Sequence, residues 1–318
     1  MNKEVLTTLI TASGRHEWQP VVPWKYNDSM DAAAGQSAGL PGNPDGHGYR
    51  AEWKADFMVE VTADGDGVII TRYTGTAAAV HIPSAIQGLP VREIGDRAFF
   101  DNHTVTGVVI PDGVTRIGVE AFACTDRGKS KMKLSSVTIP EGVTEIDNEA
   151  FQNCPLTAVT LPRSLTTLGH SAFRDTGITA VTIPSGITNF LLNPYGISGA
   201  FYECTKLKTV TMLEGIKDLP GTMFSGCTAL TTVIFPEGVG TIDAGAFYGC
   251  TALTAVALPA SIRRIDEQVF SGCENLVTVT IPEPVETIRF GDNAFARCPK
   301  LSAASQTAIR KRGYMGEF

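Results

Sequence analysis

Leu230-Thr231-Thr232-Val233-Ile234-Phe235-Pro236, Leu253-Thr254-Ala255-Val256-Ala257-Leu258-Pro259 and Leu276-Val277-Thr278-Val279-Thr280-Ile281-Pro282 are one phrase written three times, each copy 23 residues after the last. The central Val and the apolar residue two places on alternate with their neighbours, the period of a strand with one buried face. Proline then removes a backbone donor, so the strand stops there. In the copy from Leu230 to Cys250, Gly238 falls where the turn needs a positive φ. Val239 and Ile242 follow three apart, Ala246-Phe247 closes the unit, and Cys250 comes three residues later. One such unit cannot bury its own apolar side chains. Stacked copies can, each covering the same residues of its neighbour, and the core becomes a set of columns.

The phrase extends beyond these copies. Its last two residues recur as Ile82-Pro83, Ile110-Pro111, Ile139-Pro140, Leu161-Pro162 and Ile183-Pro184, while Met212-Leu213 holds the same place without proline. A phenylalanine column runs through Phe99, Phe122, Phe151, Phe173, Phe201, Phe224, Phe247, Phe270 and Phe295, at spacings of 22–29 residues. These patterns predict a mainly β repeat solenoid of about nine units over residues 56–301, with short strands and short helical turns. Solenoid ends need covering. The hairpin signal at 57–73, alternating residues around Asp64-Gly65-Asp66-Gly67, serves at one end. At the other end, 302–318 reads as a short helix and tail, with Ser302 as its N-cap and Arg310, Lys311 and Arg312 where cations suit the dipole.

The runs of the form Leu-x-x-Val-x-Ile-Pro-x-x-Val-x-x-Ile-x-x-x-Ala-Phe-x-x-Cys resemble the BspA-like, or Treponema-type, leucine-rich repeat family, over roughly residues 57–301. The resemblance implies a right-handed array and a non-enzymatic protein-binding role. Many members of that largely bacterial family are surface or secreted proteins, and some resemble adhesins that hold host matrix proteins or other cells. A protein partner on a host or neighbouring cell is therefore the expectation, with an intracellular interaction scaffold as the alternative.

Composition narrows the classes further. The net charge is −7, and charged residues are 19% of the chain. An acidic body without a basic cluster is poorly matched to nucleic acid. The basic run Arg127, Lys129, Lys131 and Lys133 reads as a solvated loop. No apolar run is long enough for a membrane span, and the first ten residues make no convincing signal peptide. Residues 1–55 do not repeat. They hold Trp18, Trp24 and Trp53 and a Gly/Pro-rich run from Gly35 to Gly48, and read as loop or as cover for the first layer. The chain is expected to be a monomer.

Residues that could carry chemistry are scattered. His170-Ser171 is a neighbouring pair outside any nucleophile-elbow pattern. The five histidines, His16, His47, His81, His103 and His170, show no ligand spacing. Asp64 and Asp66 resemble the start of a calcium loop, but Gly75 stands where its last acid is required. Cys154, Cys204, Cys227, Cys250, Cys273 and Cys298 each follow the unit's Phe by three residues, and Cys124 by two. One per layer at fixed phase predicts a column of buried thiols, too far apart for disulfides and without metal-site spacing. Asp112, Glu141, Glu237 and Glu283 follow the proline and read as a solvated acidic edge. No enzyme is expected, and no cofactor.

The binding candidates lie on the strands. If the central Val points inward, its flanking residues point outward: Ser136/Thr138, Ala158/Thr160, Ala180/Thr182, Thr209/Thr211, Thr232/Ile234, Ala255/Ala257 and Thr278/Thr280. They tile a neutral, threonine-rich face suited to a protein partner. Binding of a repetitive surface such as polysaccharide or ice is a second reading, weakened by Ile234 and Ala257. The insertion Asn189–Ser198, with Phe190, Leu191, Leu192 and Tyr195, is the most apolar one and a second candidate contact.

Overall fold

The computed structural model describes residues 56–124, 133–193, 199–283 and 285–318. The tryptophans, Arg127, Lys129, Lys131 and Tyr195 lie outside these residues. Each layer carries a rear strand, and all but the layer at 158–160 carry a front strand as well. The front strand is the repeated phrase, as in Thr232–Ile234, Ala255–Ala257 and Thr278–Thr280. The rear strand is mostly two residues long, as in Thr241–Ile242 and Arg264–Ile265. Tandem turns follow it up to and past the Phe, and the one helix among the described residues is Ala303–Lys311.

Where they pair, both strands run parallel to their counterparts in adjacent layers; the front ladder breaks at 158–160 and between Ile234 and Ala255, and the rear ladder between Phe190 and Asp218. At the rear, Ile94 faces Ile117, which faces Ile146 and then Leu168 and Phe190, and a second sheet runs through Leu219, Ile242, Ile265 and Phe290. Phe190 is thus a member of the rear column, half-buried against the core. The insertion expected at 189–198 begins after it: five residues separate Ile242 from Phe247, but eleven separate Phe190 from Phe201. Where proline is missing from the phrase, Leu213 uses its N–H, donating to the Ile183 carbonyl at 3.0 Å.

The turns form a third ladder. The N–H of Phe224 donates to the carbonyl of Ala246 in the next layer at 2.9 Å, and Phe247 does the same to Val269 at 3.0 Å. The alternate N–H bonds locally, Ser225 to the Thr222 carbonyl at 3.0 Å. This alternation needs a left-handed residue two places on either side of each Phe, and every such position except Cys124 has it. Glycine fills some of them, but Arg97, Glu149, Asn153, Asp175 and Thr222 do not have glycine's freedom. Thr222 is the least suited: it is β-branched at φ 55°, and its buried Oγ1 has no hydrogen-bond partner. Thr222→Gly is expected to raise stability by about 1 kcal/mol, read as a higher denaturant midpoint. A lower midpoint would show that the left-handed geometry carries no strain.

The core consists of the expected columns. The phenylalanine rings stack layer on layer with centroids 4.8–5.6 Å apart, and Tyr73 of the 57–73 hairpin continues the stack beyond Phe99 at 5.0 Å. Phe57–Val61 pairs antiparallel with Val68–Tyr73, which pairs parallel with Leu89–Ile94. At the other end Tyr314 lies edge-on to Phe295 at 5.5 Å. The helix starts at Ser302, whose Oγ accepts from Ser305 N–H at 3.2 Å, and Ser305 Oγ accepts from Val279 N–H at 3.0 Å. Gly238 has φ 109°, as its turn position requires.

Candidate interaction surface

The residues beside each central Val of the front strands point outward. Thr138, Thr160, Thr182, Thr232, Thr278 and Thr280 are exposed, and Thr209 and Thr211 are half-buried. Together with Ala79, His81, Gly107, Val109, Ser136, Ala158, Ala180, Ile234, Ala255 and Ala257 they form two rows without an acid, lysine or arginine. Parallel pairing sets Thr182 beside Thr211, and Thr211 beside Ile234.

The rear strands contrast with them. Their residue next to the buried Ile is Glu93, Arg116, Glu145, Thr167, Asn189, Asp218, Thr241, Arg264 or Arg289. Arg116 reaches Asp147 at 2.6 Å, Asp96 at 3.1 Å and Glu93 at 3.3 Å, and Arg264 pairs with Asp266 and with Asp243 at 3.3 Å. These rear charges pair with one another, Arg116 with Asp147 and Arg264 with Asp243 across layers. Asn189–Phe190 belongs to the rear ladder, so Phe190 is not continuous with the threonine rows.

Two further columns have structural work. The cysteines are buried thiols outside any disulfide, and each one from Cys154 onward donates to the carbonyl of the preceding layer's Phe: Cys204 to Phe173 at 3.0 Å, Cys250 to Phe224 at 3.3 Å, Cys298 to Phe270 at 3.1 Å. The column is buried as its phase predicts, and each of these thiols is a donor besides. Two of the acids after proline, Glu141 and Glu237, likewise bond across layers. A Glu141 carboxylate oxygen accepts from Arg163 N–H at 2.8 Å, and one of Glu237 from Ala260 N–H at 3.1 Å. This role was hidden because the acceptor's partner lies a whole unit away.

The Ser171 hydroxyl and His170 Nε2 are 3.1 Å apart, and Ser171 is buried at 2% exposure. Among the described residues, no three His, Cys, Asp or Glu side chains form a group that could hold a metal ion. Among the same residues no helix is long and apolar enough to cross a membrane.

The family described as BspA type leucine rich repeat region matches in six copies, over residues 79–130, 129–193 and 197–307. Among solved structures, a leucine-rich repeat protein from Bacteroides ovatus is similar at 22% identity, over 77% of this chain and 80% of that one, with a TM-score of 0.50. The T. pallidum leucine rich repeat protein TpLRR matches at 29% identity, over 83% and 96%, with a TM-score of 0.47. No curated protein sequence matches the chain.

Proposed function

The chain belongs to the BspA type leucine rich repeat family, and from that membership we propose a non-enzymatic protein-interaction module that uses its front strands, serving adhesion or ligand capture at a bacterial surface. The observation carrying this reading is the segregation of charge: a charge-free front against a rear of acids and arginines paired across layers. The core of a protein interface is depleted in charge, because each buried ion must be paired or desolvated at a cost. A surface built only for solubility would carry charge on both faces. In the same reading the array is right-handed, with the 57–73 hairpin and the C-terminal helix closing its ends. The 189–198 insertion, with Leu192 and Tyr195, is a separate contact element. A lattice-matched surface such as ice or crystalline polysaccharide fits less well, because the front ladder has no strand at 158–160 and no pairing between Ile234 and Ala255.

The test places cations on the front. Thr182→Lys, Thr232→Lys and Thr280→Lys together are expected to weaken partner binding at least about ten-fold, since three ammonium groups would have to be desolvated at the contact. Thr241→Lys at the rear should leave binding unchanged, and far-UV circular dichroism should be the same for all variants. Full retention of binding by the front variant would refute the proposal.

A further inference from the structure

The two ends of the front ladder are finished differently. At the C-terminal end the helix covers Thr278–Thr280: Val279 N–H donates to Ser305 Oγ at 3.0 Å, and Ser302 N–H donates to the Val277 carbonyl at 3.0 Å. At the other end the first front strand, Ala79–His81, pairs on one side only, with Gly107–Val109. Ile82 N–H donates to the Val109 carbonyl at 3.0 Å, and the Ala78 carbonyl accepts from Thr106 N–H at 2.6 Å. Alternate residues of a strand turn their N–H and C=O to opposite sides. Those of Ala79 and His81 therefore face away from the stack, and among the described residues no main-chain bond meets them. The 57–73 hairpin does not cover this edge, because it extends the rear ladder: Val68–Tyr73 pairs with Leu89–Ile94.

Unpaired N–H and C=O groups along a strand are a template for another extended chain. Two observations select the chain. The Asp56 carbonyl accepts from Thr74 N–H at 2.7 Å, and a Cβ on Gly75 would lie 2.6 Å from Asp56 Cγ. Asp56 thus lies beside the start of the stretch that leads from Tyr73 to Ala79. Five residues carry the chain from Thr74 to Ala79, and five upstream of Asp56 reach Ala51, the same length of chain. The second observation is the pattern. Tyr49, Ala51, Trp53, Ala55, Phe57, Val59 and Val61 alternate with Arg50, Glu52, Lys54, Asp56, Met58 and Glu60. That is the period of a strand with one apolar face, in phase with Phe57 and Val59, which pack against the core. We propose that residues 49–55 continue the strand Phe57–Val61 upstream and pair along the free edge at Ala79–His81. The segment is a guard strand. It replaces an edge that a second copy could extend with one carrying Arg50, Glu52 and Lys54, charges that discourage further pairing.

Amide hydrogen exchange of the full chain, with selective labels on alanine, histidine and isoleucine, reads the edge directly. The N–H of Ala79, of His81 or of both is expected to exchange at least about a hundred-fold more slowly than an unstructured amide. The protection should be the same at about ten-fold lower protein concentration, since the segment belongs to the same molecule. Ala51→Pro with Trp53→Pro removes two strand donors and should return these amides to the unprotected rate. Ile82 N–H, bonded to Val109, should stay protected and so report that the array is intact. In the unsubstituted chain, nuclear Overhauser contacts should join main-chain protons of 49–55 to those of Ala79–His81. Unprotected exchange at both residues, or the absence of those contacts, would overturn the proposal. Protection that survives the two prolines would show another segment on the edge, and protection lost on dilution would show a second copy there; either result overturns it too.

Discussion

Phe224→Ala is expected to destabilise the array by about 3–5 kcal/mol, the range for emptying a fully buried aromatic site. The ring has no solvent exposure and lies between Phe201 and Phe247, each 5.5 Å away and nearly parallel to it. Its loss removes transfer energy and leaves a cavity that cannot collapse easily. The backbone at that point is fixed by the bond from Phe224 N–H to the Ala246 carbonyl and by left-handed residues on both sides. Because each layer touches only its neighbours, the damage is shared by two interfaces, and unfolding should separate into two transitions in denaturant. Equilibrium urea denaturation followed by circular dichroism measures it. A loss below about 1 kcal/mol would show that the rings do not hold the layers together.

The second large effect is chemical. A maleimide or disulfide reagent should label the cysteines of the folded chain at least about a thousand-fold more slowly than those of the urea-unfolded chain, because only the exposed thiolate reacts. Burial pushes the thiols of Cys204 and Cys298 up to about 11 and that of Cys250 up to about 12, and raises those of Cys227 and Cys273 well above the ordinary value of 9.0. The same shifts set the response to alkali. Above about pH 9 the unfolded chain gives up thiol protons that the folded chain retains, so stability falls as pH rises toward 11–12. Below pH 9 both states hold these protons and the column contributes no slope. Rapid labelling in native buffer, or a stability flat from pH 8 to 10.5 in guanidinium titrations, would contradict the buried column.

What could be read from the residues was what recurs in phase. The Phe and Cys columns, the front strands and their outward threonines each repeat a residue type at a fixed offset, and each lies where that offset places it. The rear strand was not legible. Thr241–Ile242 is two residues long, too short for an alternation to register, and its one buried member also fits a turn. The left-handed positions beside each Phe were hidden because their occupants include Arg, Glu, Asp, Asn, Ser and Thr, and glycine marks only some of them. The site of the insertion could have been found: the interval from the rear column to Phe is five residues in the other units and eleven at Phe190. The missing front strand at 158–160 gave no signal at all, since Ala158-Val159-Thr160 matches the repeated phrase as well as its neighbours do. It comes from how the layers meet, a relation between residues 22 apart.

The account depends on successive layers lying ring against ring. In a sample carrying selectively labelled phenylalanine and tyrosine, nuclear Overhauser contacts between ring protons report that arrangement directly. The account predicts an unbroken walk from Tyr73 through Phe99, Phe122, Phe151, Phe173, Phe201, Phe224, Phe247 and Phe270 to Phe295, every step joining rings 4.8–5.6 Å apart. Rings that show no contact with their neighbours in the walk, or contacts that skip a layer, would contradict it.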